Sequence, residues 1–250
     1  MIGPYRTEAG SSTHKGLVRS ANEDSLASVA AHGVWLVADG MGGHAHGQFA
    51  SQTIADVVSG AVPLIDPQAP WEGVAQAVHE ANRQIFLRSG ELGQQMGSTV
   101  VALVLHDAEF VVLWAGDSRA YLLRGGDLIR LTRDHTQVEQ MVERGMLTPD
   151  EAEDHPMKHV LARAVGVQET LELDAIRDFV AANDLYLLCS DGLYGVVDDT
   201  AITALLREHG VHAADHLVAA ALAAGGPDNV TVTLVAVNEP TLLILDGMAR

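Results

Sequence analysis

Asp39, Asp191 and Asp228 each sit where an apolar run meets a turn, in VWLVADGMGGH, LYLLCSDGLYG and GGPDNVTVTLVAV. An apolar strand that stops at Asp-Gly leaves a carboxylate on the rim of a sheet, where the backbone can turn sharply. Carboxylate oxygen is the ligand that magnesium, manganese and calcium prefer. Three such carboxylates, drawn from positions 39 to 228, could converge on one hard cation.

Other polar groups stand in similar settings. Arg19-Ser-Ala-Asn-Glu23-Asp24 offers a guanidinium fork for a phosphate and two acids for metal-bound waters. Asp117, in AGDSRAY, is a further carboxylate after a glycine, and Arg119 is a ready partner for it. The polar run Leu131–Thr136 suits a helix cap. Each has an ordinary reading when taken singly: a solvated ion pair, a local salt bridge, a cap. The glycines of GMGGHAHG even match G-x-G-x-x-A through Gly40, Gly42 and Ala45. Asp39 would then set a negative charge against a pyrophosphate, which disfavours a dinucleotide. None of the 12 histidines falls in H-E-x-x-H or a zinc spacing, and no G-x-S-x-G supplies a serine nucleophile.

Bulk properties remove whole classes. The net charge of −18, from 33 acids against 15 bases, speaks against nucleic acid and anionic membranes as partners. Some of that acidity would be neutralised if carboxylates hold divalent cations. The apolar runs FVVLWAG and VAAALAA are too short to span a bilayer. The N-terminus lacks the basic and apolar regions of a secretory signal. The single cysteine, Cys189, lies in an apolar strand, reads as a core residue and fits a reducing cytoplasm.

The elements that must position these groups can be read from periodicity. A buried strand spans 33–39, and helices span about 48–58 and 71–88 around a loop at 63–70. HKGLVRS (14–20), which carries Arg19, is strand-like. Residues 98–132 are short and β-branched, with a hairpin turn at 125–127, and read as one antiparallel meander. Residues 134–165 return to helix, and Thr148-Pro-Asp-Glu151 is a capping box. Strands at 171–179 and 184–191, helices at 200–209 and 211–224, and a strand at 229–237 complete the chain. The whole predicts a single domain with mostly antiparallel sheets.

The motifs RSANED, ADGMGGH, GST (97–99), GDSRAY, LTRDHT, SDGLY and DNVTV occur here in one order. That ordered set resembles the metal-dependent serine/threonine protein phosphatases of the type 2C class (PPM family), in their compact bacterial form, from about His14 to Val237. The resemblance implies an α+β fold, a four-layer α-β-β-α sandwich, with a helical flap at about 134–164. It implies hydrolysis of phosphoserine and phosphothreonine at a dinuclear magnesium or manganese centre by a metal-activated water, with no covalent intermediate. Asp39 matches the carboxylate that bridges two ions, and Gly40 would lend its carbonyl to one of them. Asp191 and Asp228 match the ligands of the other. Asp117 matches a ligand of a weaker third ion, shared with Asp191. Arg19 matches the phosphate-binding arginine, and Glu23 and Asp24 match acids that reach metal through water.

One position departs from the better-known eukaryotic pattern. Where those relatives have a histidine general acid, this chain has Met41, which cannot donate a proton. His44, a metal-bound water or no dedicated group remain as proton donors. The expected protein is a cytoplasmic monomer acting on phosphoproteins of a cognate serine/threonine kinase. The alternative is a catalytically silent module that binds phosphoproteins or a kinase. A phosphodiesterase or nuclease is disfavoured by the acidic balance.

Overall fold

The computed structural model describes residues 5–43, 45–153 and 155–239. His44 therefore lies outside the described residues. The strands are β1 (Arg6–His14), β2 (Asp24–Val29), β3 (Val34–Met41), β4 (Gly97–Ser98), β5 (Val100–His106), β6 (Glu109–Ala115), β7 (Arg119–Arg124), β8 (Asp127–Arg130), β9 (Asp174–Phe179), β10 (Leu185–Cys189) and β11 (Val230–Asn238). The helices are α1 (Ala45–Ala61), α2 (Pro70–Leu92), α3 (Gln137–Glu143), α4 (Pro149–Glu153), α5 (Asp191–Tyr194), α6 (Asp199–His209) and α7 (Ala214–Ala223). No helix among the described residues is long and apolar enough to cross a membrane.

The strands form two antiparallel sheets. One runs β1-β11-β10-β7-β8, and the other runs β2-β3-β5-β6-β9 with β4 added to β3. Alternation along the strands builds three apolar layers from them. Leu36 and Ala38 of β3 face α1 and α2, together with Ile54 and Val78. Trp35 and Val37 point the other way and meet Tyr186, Leu188 and Val235 of the second sheet. Leu187, Val232 and Leu234 face α6 and α7. Strands buried on both faces must be apolar at successive positions, which is why VWLVA is uninterrupted. Each fully buried Leu or Val contributes about 1.5–3 kcal/mol. The result is the four-layer α-β-β-α sandwich expected from the sequence.

Several local expectations hold. The β7–β8 hairpin turns at Gly125 and Gly126, both with positive φ. Thr148 and Glu151 exchange the bonds of a capping box: Thr148 N donates to Glu151 Oε2 at 2.9 Å, and Glu151 N donates to Thr148 Oγ1 at 3.3 Å. Cys189 is fully buried.

Others are corrected. The stretch 98–132 is not one meander. β5 and β6 pair in one sheet, the chain crosses at Gly116–Ser118, and β7 and β8 pair in the other. Period-2 patterning cannot reveal this switch, because it reports which side chains a strand buries and not which sheet the strand joins. HKGLVRS is not a strand. β1 ends at His14, and Leu17 and Val18 are 64% and 72% exposed. The real strand lies before it, in the polar edge segment Arg6–His14, whose outer position asks for little hydrophobicity. Residues 134–165 are only partly helical. Gly145, at φ 68°, ends the turn after α3, and most of 155–165 is irregular.

The exit from this insert is fixed to α2 by one buried side chain. Asn82 Nδ2 donates to the carbonyls of Gln168 and Glu169 at 3.0 and 3.1 Å, and Asn82 Oδ1 accepts from Gly166 N at 2.7 Å. Asn82→Leu leaves the buried Gly166 N–H without an acceptor and should lower unfolding stability by about 2–4 kcal/mol in urea denaturation.

Candidate metal centre

Asp39 lies on β3 directly opposite Asp24 of β2. Its backbone is held by the segment after β4: Asp39 N donates to Thr99 Oγ1 at 2.9 Å, while Asp39 O accepts from Thr99 N at 2.8 Å and Ser98 Oγ at 2.9 Å. The main chain is thereby satisfied without the carboxylate. Gly40 permits a close approach, since a Cβ there would collide with the carbonyls of Gly47 and Glu23. Asp191 opens α5 immediately after β10. Gly192 lets that turn press on Asn229, whose carbonyl a Cβ would strike. Asp228 precedes β11, with Oδ1 accepting from Asn229 N at 2.8 Å and Oδ2 from Arg19 at 2.6 Å.

A single cleft of about 1170 Å³ is lined by Arg19, Glu23, Asp39, Gly40, Met41, Asp117, Asp191 and Asp228, among others. Asp24 is not among its lining residues. It is buried behind Asp39, where its Oδ2 accepts from Ser190 Oγ at 2.8 Å and its Oδ1 has no partner.

Arg119 does not pair with Asp117. It makes a two-pronged bond to Asp134 and lies over the Tyr194 ring, 3.5 Å from the centroid. Tyr194 donates its hydroxyl to the Asp117 carbonyl at 2.9 Å. The loops that carry Asp117 and Asp191 are thus tied together from beneath. His135 adds a second tie, because its backbone N–H donates to Gly116 O at 2.9 Å and its Nδ1 accepts from Gly116 N at 3.2 Å.

Two further residues were not singled out from the sequence. Asn229 accepts from Glu23 N at 2.7 Å and donates to the carbonyls of Lys15 and Ala21 at 2.9 Å, stapling the Arg19 loop to β11. Its only sequence signal was membership of DNVTV. His159 reaches into the cleft from the insert, with Nδ1 3.9 Å from Asp191 Oδ2. No local pattern distinguished it from the other histidines.

The electrostatics are dominated by buried like charge. Burial pushes the Asp39 carboxyl well above the ordinary range, and Asp24, Asp191 and Asp117 push it further. Burial raises Asp117 to about 8, with Asp191 and Asp134 adding to the effect. Asp24 rises to about 7, chiefly through burial, against the bonds from Thr231 and Ser190. Asp191 is raised by burial and by Asp228, opposed by His159 and by a hydrogen bond to Asp39. One Asp191 oxygen, Oδ1, is buried without a partner. Carboxylates that repel each other in a cleft, with an orphaned oxygen among them, fit a hard cation. Among the described residues no three acidic, imidazole or thiol side chains already form a coordination group. The donors ring an open cleft, which suits an ion that keeps several of its waters.

The sequence profile of protein phosphatase 2C matches residues 13–224. The chain belongs to the protein phosphatase 2C family. It is 38% identical over 227 residues to the serine/threonine protein phosphatase PstP of Mycobacterium tuberculosis, covering 88% of this chain but only 43% of PstP. It is 34% identical to the serine/threonine phosphatase stp of Listeria monocytogenes, covering 89% of this chain and 93% of that protein. Its fold matches PppA, described as a key regulatory component of T6SS in Pseudomonas aeruginosa, with a TM-score of 0.85 at 37% identity over 92% of this chain and 97% of PppA. It also matches the PstP catalytic domain in complex with two manganese ions, with a TM-score of 0.82 at 34% identity over 93% of this chain and 98% of that domain. The chain thus spans less than half of PstP, and the named relatives of the matched region are serine/threonine phosphatases, one of them solved with two manganese ions.

The raised carboxyls set a pH dependence for the metal-free protein. Unfolded aspartates titrate near pH 4. Asp24 and Asp117 hold their protons to about 7 and about 8 in the folded state. Between those limits the native state binds more protons than the unfolded chain, so stability falls as pH rises. Urea midpoints in excess chelator should drop between pH 5.5 and pH 8.5, and Asp117→Asn should flatten the drop. A rise over that interval would contradict the assignment.

Proposed function

We propose that this protein 2C-type phosphatase removes phosphate from phosphoserine and phosphothreonine in proteins modified by a cognate kinase. Magnesium or manganese would be held in the ring of cleft carboxylates. The reading rests above all on one observation: Asp117 is buried, Asp39 and Asp191 are half-buried, and the three repel one another and open onto the cleft that Arg19 also faces.

Asp39, the Gly40 carbonyl, Asp191 and Asp228 would hold two ions, and Asp117 with Asp191 would hold a weaker third. Bound ions would supply charge neutralisation at the phosphoryl oxygens and a nucleophilic water near neutral pH. The chain's own residues do the rest. Arg19 is half exposed at the cleft mouth and engages Asp228 through one nitrogen, so its remaining N–H donors are available to a phosphoryl group. The ties through Thr99, Tyr194 and Asn229 hold the carboxylates in place before substrate arrives, which lowers the reorganisation needed in the transition state. Met41 lines the cleft and offers no proton to the leaving oxygen. The silent binding module is not favoured, because Arg19 and the four cleft aspartates are all present.

Turnover of a phosphothreonine peptide should require manganese or magnesium and stop in excess chelator. Asp39→Asn should lower kcat by at least about 100-fold while circular dichroism shows an intact fold. Peptide binding without metal-dependent turnover would favour the silent module instead.

A further inference from the structure

We propose that the cleft continues over a low saddle into a second hollow, and that this extended groove holds the substrate polypeptide with one of its apolar side chains seated in the second hollow. The inference rests on the phosphatase reading above and specifies its substrate.

The cleft, at about 1170 Å³, exceeds what most drug-sized ligands fill, and a phosphorylated side chain needs far less. Its lining also includes the apolar Met41, Val167 and Leu171. A second hollow of about 520 Å³ lies at the C-terminal end of α2. The two share Gln95 and Val167, which form the saddle between them. Phe86, Leu87 and Val167 wall the second hollow, Ser89, Gln94, Gln95 and three glycines complete it, and no charged side chain lines it. Leu87 is 51% exposed, an apolar surface with nothing over it.

The hollow is preformed rather than floppy. Gly166 is bonded to Asn82, and its backbone lies so close to α2 that a Cβ would collide with Ile85. Gly93 closes the helix in the left-handed conformation, its N–H donating to the carbonyls of Gly90 and Ser89. A space of this size suits one or two side chains. A stable interface with a second copy would need roughly 800 Å² from each partner. The apolar walls select an aliphatic or aromatic residue, and a chain of net charge −18 disfavours an acidic flank.

The test is a set of phosphothreonine peptides carrying Leu, Ala or Asp at each of four positions on either side, assayed with manganese as kcat/KM relative to p-nitrophenyl phosphate. At one position Leu should exceed Ala by about tenfold, with Asp lowest. Gly90→Trp fills the hollow without a backbone clash, since a Cβ at Gly90 meets nothing within 4 Å. Leu87→Asp charges its wall. Melting curves check that both variants fold, and both should bring the Leu preference below about twofold. The proposal is overturned if no position separates Leu from Ala, or if the preference survives in both variants. A change in self-association with peptide preference intact would assign the hollow to a second copy and overturn it as well. Absence of any metal-dependent hydrolysis of p-nitrophenyl phosphate by the unaltered protein would instead overturn the phosphatase reading.

Discussion

Repulsion among buried carboxylates is the constraint on which the rest of this molecule depends. Asp24 and Asp117 are buried and Asp39 and Asp191 half-buried where the two sheets meet, and each is pushed toward its neutral form. Placing like charges this way costs stability, and a fold tolerates it only where surrounding structure over-determines the positions. Here the over-determination is visible. Every backbone segment that carries one of these acids is bonded to a segment that carries another or to its neighbour. Thr99 holds Asp39, Ser190 holds Asp24, Tyr194 joins Asp117 to α5, and Asn229 joins the Arg19 loop to Asp228.

The sandwich explains how such a site can exist at all. Two sheets packed face to face leave their strand ends side by side along one edge, and the chain switches sheets there, at Gly116–Ser118. Carboxylates from β3, from the β6–β7 crossing and from the β10–α5 turn reach the same cleft without any long side chain. The insert at 134–165 closes one flank. It is anchored at both ends, by Asp134 and His135 at its start and by Asn82 at its exit, and it carries His159 between them. The groove proposed for the substrate polypeptide runs out from beneath that exit.

Much of this was legible in the sequence, and the reasons differ by residue. The strand-end aspartates stood out because Asp-Gly after an apolar run is a local signal, and the ordered motifs placed Arg19, Asp117 and Gly40 beside them. The layers were legible as unbroken apolar strands. What escaped depended on contacts far apart in the chain. The pairing of Arg119 with Asp134 rather than its neighbour Asp117 follows from the direction β7 takes after the crossing, which no local pattern records. Asn229 looks like an ordinary turn residue until the Arg19 loop is laid against it. Asp24 follows Glu23 directly in the chain, yet its pairing opposite Asp39 of β3 leaves it buried. The edge strand β1 carries no hydrophobic pattern because an edge position asks for none, whereas apolar Leu17 and Val18 are exposed in the loop that follows it.

On the proposed function, Asp39 is set half-buried among like charges for a cation rather than for the fold. Thermal melting of the unaltered protein and of Asp39→Asn, in chelator and then with saturating manganese, tests it most directly. The neutral side chain relieves repulsion from Asp24, Asp191 and Asp117, so without metal the variant should melt higher than the parent at pH 8. Manganese should raise the parent's melting temperature and leave the variant's nearly unchanged. A metal-free variant that melts lower than the parent, and that manganese still stabilises as strongly, would contradict the account.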